Sequence, residues 1–307
     1  MRLLSFALAI LCSCAAIAQE KVLLRLNLNP GDEHIAVIEK NTRREQSMMG
    51  SEQGSEQEEM VRIRYTCTDT IGGISKMKMD VERVTLESDG LAGEQSYDSD
   101  DPDEESFFFA MPAADMVEID FTLSLEDNAK VVEMTGTDEL ASSIIAHLGA
   151  FNSDDSEIAL ENLEESLTSE SFLREYSPCL IEFPEEEVGV GDSWTEFVSA
   201  TALNSFTVEE TYTVKEITET EVVLQVRGKI RTLEDAEPSE MGWMKMKQNL
   251  RGSKAGTIRI DRAKGLVLSA DFEQSLTGEL ELLPNDYFPE GQTFPMNQFD
   301  SMKVTTE

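Results

Sequence analysis

Residues 117–125 read Val117-Glu118-Ile119-Asp120-Phe121-Thr122-Leu123-Ser124-Leu125, an apolar side chain at every second position and a polar one between. Successive side chains of a strand point to opposite faces, so this period builds a strand with one buried and one wet face. The same period recurs through the chain. Val22, Leu24, Leu26 and Leu28 share a phase, as do Phe206, Val208, Tyr212 and Val214. Val222, Leu224, Val226 and Ile230 follow, then Leu266, Leu268, Ala270, Phe272 and Leu276. Antiparallel sheets solvated on one side carry this signature, and Gly31-Asp32, Gly72-Gly73, Asp89-Gly90 and Lys264-Gly265 punctuate the strands as turns.

Helical spacing interrupts the pattern twice. Leu140, Ile144, Leu148 and Phe151 predict a helix starting near Thr137, and Leu160, Leu163 and Leu167 predict a second, with Asp154 and Glu157 at its start. The fold expected is mainly β: two curved antiparallel sheets or one long continuous sheet, in two similar β-rich halves with two amphipathic helices between them. The units read as a signal peptide over 1–18, an N-terminal β half over 19–135, a helical connector over 136–175 and a C-terminal β half over 176–307. Three features pair the halves. Asn29-Pro30-Gly31-Asp32 matches Gly189-Val190-Gly191-Asp192. The hairpin turning at Asp127-Asn128-Ala129-Lys130 matches the one at Asp261-Arg262-Ala263-Lys264-Gly265. Met-Lys-Met stands at both 77–79 and 244–246. The Ser/Glu/Gln/Gly-rich stretch Ser47 to Glu59 and the acidic run Ser96 to Ser106 predict loops.

The chain starts with Arg2, an apolar run from Leu3 to Ile10, and Ala16-Ile17-Ala18, which is the pattern of a secretory signal cleaved between Ala18 and Gln19. The alternative is a lipid anchor on Cys14. No later apolar run reaches the length of a membrane-spanning helix, so the mature chain is expected to be exported, periplasmic or extracellular, without a transmembrane segment. Its 25 Lys+Arg against 61 Asp+Glu give a formal charge of −36. That charge repels phosphate backbones and excludes nucleic acid as a partner. Cys67 and Cys179 remain after cleavage, both in apolar phase, and are a candidate disulfide in an oxidising compartment.

Catalytic motifs are weighed against simpler readings. Gly191-Asp192-Ser193 resembles an esterase nucleophile block, yet it stands mid-chain and both histidines, His34 and His147, precede it. A turn anchored by Trp194 accounts for it. Gly189-x-Gly191 lacks the third glycine and the helix of a dinucleotide site. Asp98 to Glu105 clusters Ca²⁺-type ligands, but Pro102 breaks their spacing and a solvated charge run is the expectation. Met77/Met79 and Met244/Met246 have thioether spacing for copper, though on a strand each pair shares one face and fills a core. No catalytic residue, metal ligand or cofactor is therefore assigned.

The chain resembles the uncharacterised secreted proteins grouped as domain of unknown function 6263, found mostly in Bacteroidetes-type bacteria. The resemblance rests on Val22-Leu23-Leu24-Arg25-Leu26, Pro30-Gly31-Asp32, Tyr97-Asp98-Ser99, Phe183-Pro184, Val188 to Trp194, Thr211-Tyr212, Gly228 and Asp261-x-x-x-Gly265. It implies a β-rich envelope or secreted protein and brings no activity; the strong acidity is a departure from it. The function expected is a non-catalytic binding or structural role with an unknown ligand or envelope partner. A carrier of an apolar ligand in a β-lined cavity and a hydrolase are the alternatives.

Overall fold

The computed structural model describes residues 20–48, 51–90, 93–102, 110, 113–149, 180–200, 206–233, 238–241, 244–285 and 288–307. The strands are β1 (Lys21–Val22), β2 (Glu33–Met48), β3 (Ser51–Ile71), β4 (Ile74–Gly90), β5 (Gly93–Asp98), β6 (Phe121–Glu126) and β7 (Val131–Thr135). After the helix α1 (Thr137–Gly149) come β8 (Val188–Gly189), β9 (Ser193–Ala200), β10 (Phe206–Ile217), β11 (Glu221–Thr232) and β12 (Ser239–Met241). β13 (Met244–Asp261), β14 (Val267–Leu282) and β15 (Gln292–Thr306) complete the chain.

All but β1 and β8 join one open 13-stranded antiparallel sheet, ordered β7-β6-β4-β3-β2-β15-β14-β13-β11-β10-β9, with β5 on β4 and β12 on β13. Strands of the N-terminal half occupy one side and those of the C-terminal half the other, each running against chain order. One apolar row crosses nearly the whole sheet: Val214, Leu224, Ile258, Ala270, Val304, Ile38, Val61 and Val84 stand opposite one another in successive strands. Every one of them is buried. Leu24, Leu26, Leu28, Ile181, Phe183, Met116, Leu140 and Ile144 pack into the same core.

The paired turns share one hydrogen-bond pattern. Gly31 N donates to Cys67 O at 2.8 Å and Cys67 N returns to Asp32 O at 2.8 Å; Gly191 N donates to Val214 O at 2.8 Å and Val214 N returns to Asp192 O at 3.0 Å. Asp32 Oδ2 accepts from Asn29 N at 2.8 Å, and Asp192 Oδ2 from Gly189 N at 2.9 Å. Those backbone bonds hold both carboxyls below the ordinary carboxylate value. The two glycines have φ of 92° and 93°, a conformation that glycine adopts without steric cost. A bulge follows each turn's partner, between Cys67 and Asp69 and between Val214 and Glu216. The second pair of turns shares only a left-handed residue, with φ of 67° at Ala129 and 71° at Gly265: Ala129 N bonds Glu126 O three residues back, whereas Gly265 N bonds Asp261 O four residues back.

Several expectations change. Val117 belongs to a 3-10 turn over Asp115–Glu118 and Ile119 caps it, so the strand begins at Phe121. Ser143 Oγ bonds Asp115 Oδ1 at 3.0 Å and ties that turn to α1, which overrides the local alternation. Ser51 to Glu59 is strand rather than loop, because β3 continues its pairing with β2 as far as Ser51. Ser96 to Asp98 likewise ends β5. Tyr97 is buried, Arg83 Nη2 bonds Asp98 Oδ2 at 2.6 Å, and Ser99 Oγ accepts from Val84 N at 3.0 Å. Among the described residues α1 is the α-helix present; the helix expected over Leu160 to Leu167 lies outside them.

Candidate functional site

Three of the in-phase apolar runs read from the sequence skip one position. Phe206, Val208, Tyr212 and Val214 skip Glu210; Val222 to Ile230 skip Gly228; Ala270, Phe272 and Leu276 skip Gln274. In the sheet these gaps align. Glu196, Glu210, Gly228, Lys254, Gln274, Asp300, Thr42 and Gln57 stand opposite one another in successive strands, forming a polar belt across the face that carries the core. Sequence reading missed the belt, and the coincident gaps were its signal.

The belt is closely bonded. Glu210 accepts from Tyr212 Oη and Lys254 Nζ, each at 2.8 Å, with the Glu210 side chain 9% exposed and that of Lys254 22%. A buried ion pair of this kind recovers its desolvation cost only when both partners keep full hydrogen bonding, which the Tyr212 hydroxyl assists. Gly228 lies between them, and a Cβ there would stand 3.0 Å from Lys254 Cβ. Lys254 Nζ sits 4.4 Å above the Phe272 ring, and that ring covers Gly256, whose Cβ would fall 2.4 Å from Phe272 Cδ1. Trp194 stacks on Tyr212 with centroids 5.4 Å apart. Asp300 is a second hub, accepting from Thr42 Oγ1 at 2.9 Å, Gln274 Nε2 at 2.8 Å and Gln298 Nε2 at 2.9 Å. Arg44 Nε donates to Gln298 Oε1 at 3.0 Å.

Beyond the belt the same face turns apolar again. Val208, Ile230 and Leu276 are buried and form a cluster separate from the main core. Leu250, Leu282, Phe294 and Met296 are buried on the neighbouring strands. The 3-10 turn packs on β4, and α1 packs on that turn. The 3-10 turn lies in the N-terminal half and α1 in the connector.

A second cluster of charge lies at the joint between the halves, where most of the resemblance-bearing stretches meet. Residues 23–28 alternate in burial like a strand but pair with turns: Leu26 N donates to Asp127 O at 2.6 Å and Asn27 N to Lys264 O at 3.0 Å. Arg25, 17% exposed at its side chain, donates to Leu24 O and Pro184 O at 2.7 Å, to Glu185 O at 2.8 Å and to Glu185 Oε2 at 3.1 Å. Lys264 Nζ reaches Asp32 Oδ1 at 3.1 Å, and Arg262 Nη2 reaches Glu20 Oε1 at 2.7 Å.

The residues weighed in the sequence are dispersed. Ser193 is exposed and opens β9 opposite Thr213, whereas His34 lies in β2 opposite Tyr65. His147 lies in α1. Trp194 is partly buried, its Nε1 donating to Glu182 O at 3.2 Å. Met77 and Met79 are both core residues. Asp98 and Asp100 are drawn onto Arg83, and Glu104 and Glu105 lie outside the described residues. Cys67 is a buried free thiol with Sγ 3.6 Å from Thr70 Oγ1; Cys179, and the signal junction at Ala18 and Gln19, lie outside the described residues. On the opposite face a shallow depression of about 440 Å³ carries Glu39, Glu58, Glu87, Asp271 and Lys303. Among the described residues no three His, Cys, Asp or Glu are grouped to hold a metal, and no helix is long and apolar enough to cross a membrane.

Among solved structures, the chain is similar to lipovitellin, in a structure titled for its lipid–protein interactions. The identity is 12%, the match covers 92% of this chain and 25% of that one, and the TM-score is 0.48. The chain thus spans about a quarter of lipovitellin. An outer membrane channel from Pseudomonas putida F1 matches at 8% identity over 92% of this chain and 97% of that one, with a TM-score of 0.26. OccK2 (OpdF) from Pseudomonas aeruginosa matches at 8% identity over 90% and 98%, with a TM-score of 0.20. At these scores none of the likenesses bears on what this chain does. No curated protein matches it. The family model described as "Family of unknown function (DUF6263)" matches residues 72–267, which is most of the sheet and both sides of the joint. The chain belongs to that family of unknown function.

Proposed function

We propose that the protein is an exported, non-catalytic carrier that holds an apolar ligand against the sheet beyond the polar belt. One observation carries this reading: the second apolar field, around Val208, Ile230 and Leu276, is separate from the main core although it lies on the same face. Satellite apolar clusters commonly lie under loops, and one walled off by hydrogen-bonded polar side chains also suits a ligand that is apolar along its length. Export rests on residues 1–18 and places the carrier in the periplasm or outside the cell, with the mature chain starting at Gln19. The two β halves, over 19–135 and 176–307, act as one wall.

A naturally fluorescent polyene fatty acid is a suitable probe. Titration should give saturable binding at one equivalent. Leu276→Asp should weaken it about tenfold or more, since a carboxylate in the field must be desolvated against the ligand. Circular dichroism matched to the parent chain establishes that the variant folds. No saturable binding, or equal binding by the folded Leu276→Asp chain, would count against the carrier.

A further inference from the structure

The register row that carries the apolar field ends in a cation. Val208, Ile230, Gly252, Leu276, Gln298 and Arg44 stand opposite one another in successive strands, from β10 to β2. Leu276 leans over the bare backbone of Gly252, where a Cβ would fall 2.7 Å from Leu276 Cδ2, and so joins Ile230 and Val208 in one cluster. Arg44 is exposed at the far end of that row, on the face that carries the field. We propose that Arg44 receives the oxyanion head group, carboxylate or phosphate monoester, of a single-chain amphiphile whose tail lies along Leu276, Ile230 and Val208. This site rests on the carrier reading and gives its ligand a charged end.

The belt holds the side chain in place. Arg44 Nε donates to Gln298 Oε1 at 3.0 Å. The Gln298 amide is fixed in turn, its Nε2 donating to both oxygens of Asp300 at 2.9 Å. Thr42 Oγ1 and Gln274 Nε2 donate to the same carboxylate at 2.9 and 2.8 Å. Asp300 is thus occupied by three neutral donors, and Gln298 presents its carbonyl oxygen to Arg44. The guanidinium uses its Nε–H there, and its Nη1/Nη2 edge has no partner among the described residues. That planar edge matches two oxygens of a carboxylate or a phosphate.

The surroundings of Arg44 admit an anion. Its neighbours on that face are Thr42 and Gln46 along β2, Gln298 across on β15 and Ser55 across on β3, all uncharged. Among the described residues Arg44 makes no ion pair, whereas Arg43, on the opposite face, pairs with Glu45 at 2.6 Å. The formal charge of −36 opposes an anion at long range, but salt at about 0.15 M screens charges more than about 8 Å away. The span suits a long chain. Four inter-strand spacings of about 4.8 Å separate Gln298 from Val208, about 19 Å in all.

Alkyl chains of one length, ending in a carboxylate, a phosphate monoester or a hydroxyl, should be titrated into the full mature chain at about 0.15 M salt. The better-bound anion should bind at least about tenfold tighter than the alcohol, and which anion that is identifies the head group. Arg44→Gln should bring both anions within about twofold of the alcohol and leave alcohol binding unchanged. Arg43→Gln removes the same charge from the opposite face and should keep the preference. Circular dichroism matched to the parent establishes folding, and Arg44→Met replaces Arg44→Gln should the latter not fold. Equal binding of all three heads, a preference that survives Arg44→Gln, or an equal loss in Arg43→Gln would overturn the head-group site. The carrier would still stand in those cases if Leu276→Asp weakened the alcohol. No saturable binding of any of the three would overturn the carrier and this site together.

Discussion

Gly265→Ala should lower stability by about 4 kcal/mol, or about 10 °C in Tm, whereas Gly72→Ala should cost about 1 kcal/mol. Both glycines have positive φ, 71° and 63°, so both substitutions place alanine in a left-handed conformation. The surroundings differ. A Cβ at Gly72 meets nothing within 4 Å, while one at Gly265 would fall 2.2 Å from Arg25 O and 2.7 Å from Arg25 C. Backbone cannot swing aside as a side chain does, so residues 23–28 must lift from the turn. That movement surrenders the bond from Asn27 N to Lys264 O and part of the packing of Leu24 and Leu26. Urea unfolding of the matched pair reads the difference. Equal losses in the two variants would mean that the strand does not lie on the turn.

Arg25→Ala should cost about 3 kcal/mol. Its attached carboxylates contribute little, because Glu185 and Asp127 side chains are 77% and 63% exposed and water screens them. The larger share comes from the carbonyls of Leu24, Pro184 and Glu185, which lose a charged donor on removal of the guanidinium. Arg25→Lys should restore less than half, since an ammonium cannot reproduce the planar fork. Glu185→Gln should change stability by less than about 1 kcal/mol. A loss on Glu185→Gln as large as that on Arg25→Ala would show that charge rather than the carbonyl clasp holds the joint.

The fold was legible wherever a period lay within one strand. Val222 to Ile230 and Phe206 to Val214 both declared their buried face, and the paired Gly-Asp sequences at Gly31 and Gly191 form turns with the same backbone bonds. The period misled at Val117 and Ile119, where tertiary contact to α1 curls an alternating stretch into a 3-10 turn. Composition misled at Ser51 to Glu59. Residues there alternate between exposed and half-buried positions, so polar side chains are compatible with pairing on both faces and carry no signal of loop. The belt was hidden for a different reason. Asp300 and Thr42 meet across 258 positions, and Lys254 and Glu210 across 44. A row perpendicular to the strands leaves only one missing apolar residue in the runs of β10, β11 and β14. Arg25 read as the polar member of an alternation, and nothing local distinguished it from Asn27; its role depends on Pro184 and Glu185 arriving from the other half.

If the sheet carries an apolar ligand, native mass spectrometry of the protein purified from its own host should reveal it. The expected spectrum shows the mature chain starting at Gln19 in a folded charge distribution, with one non-covalent adduct that organic extraction removes. It should vanish in Leu276→Asp chain purified the same way. A folded mature chain at its bare mass, with no adduct before extraction, would contradict the carrier.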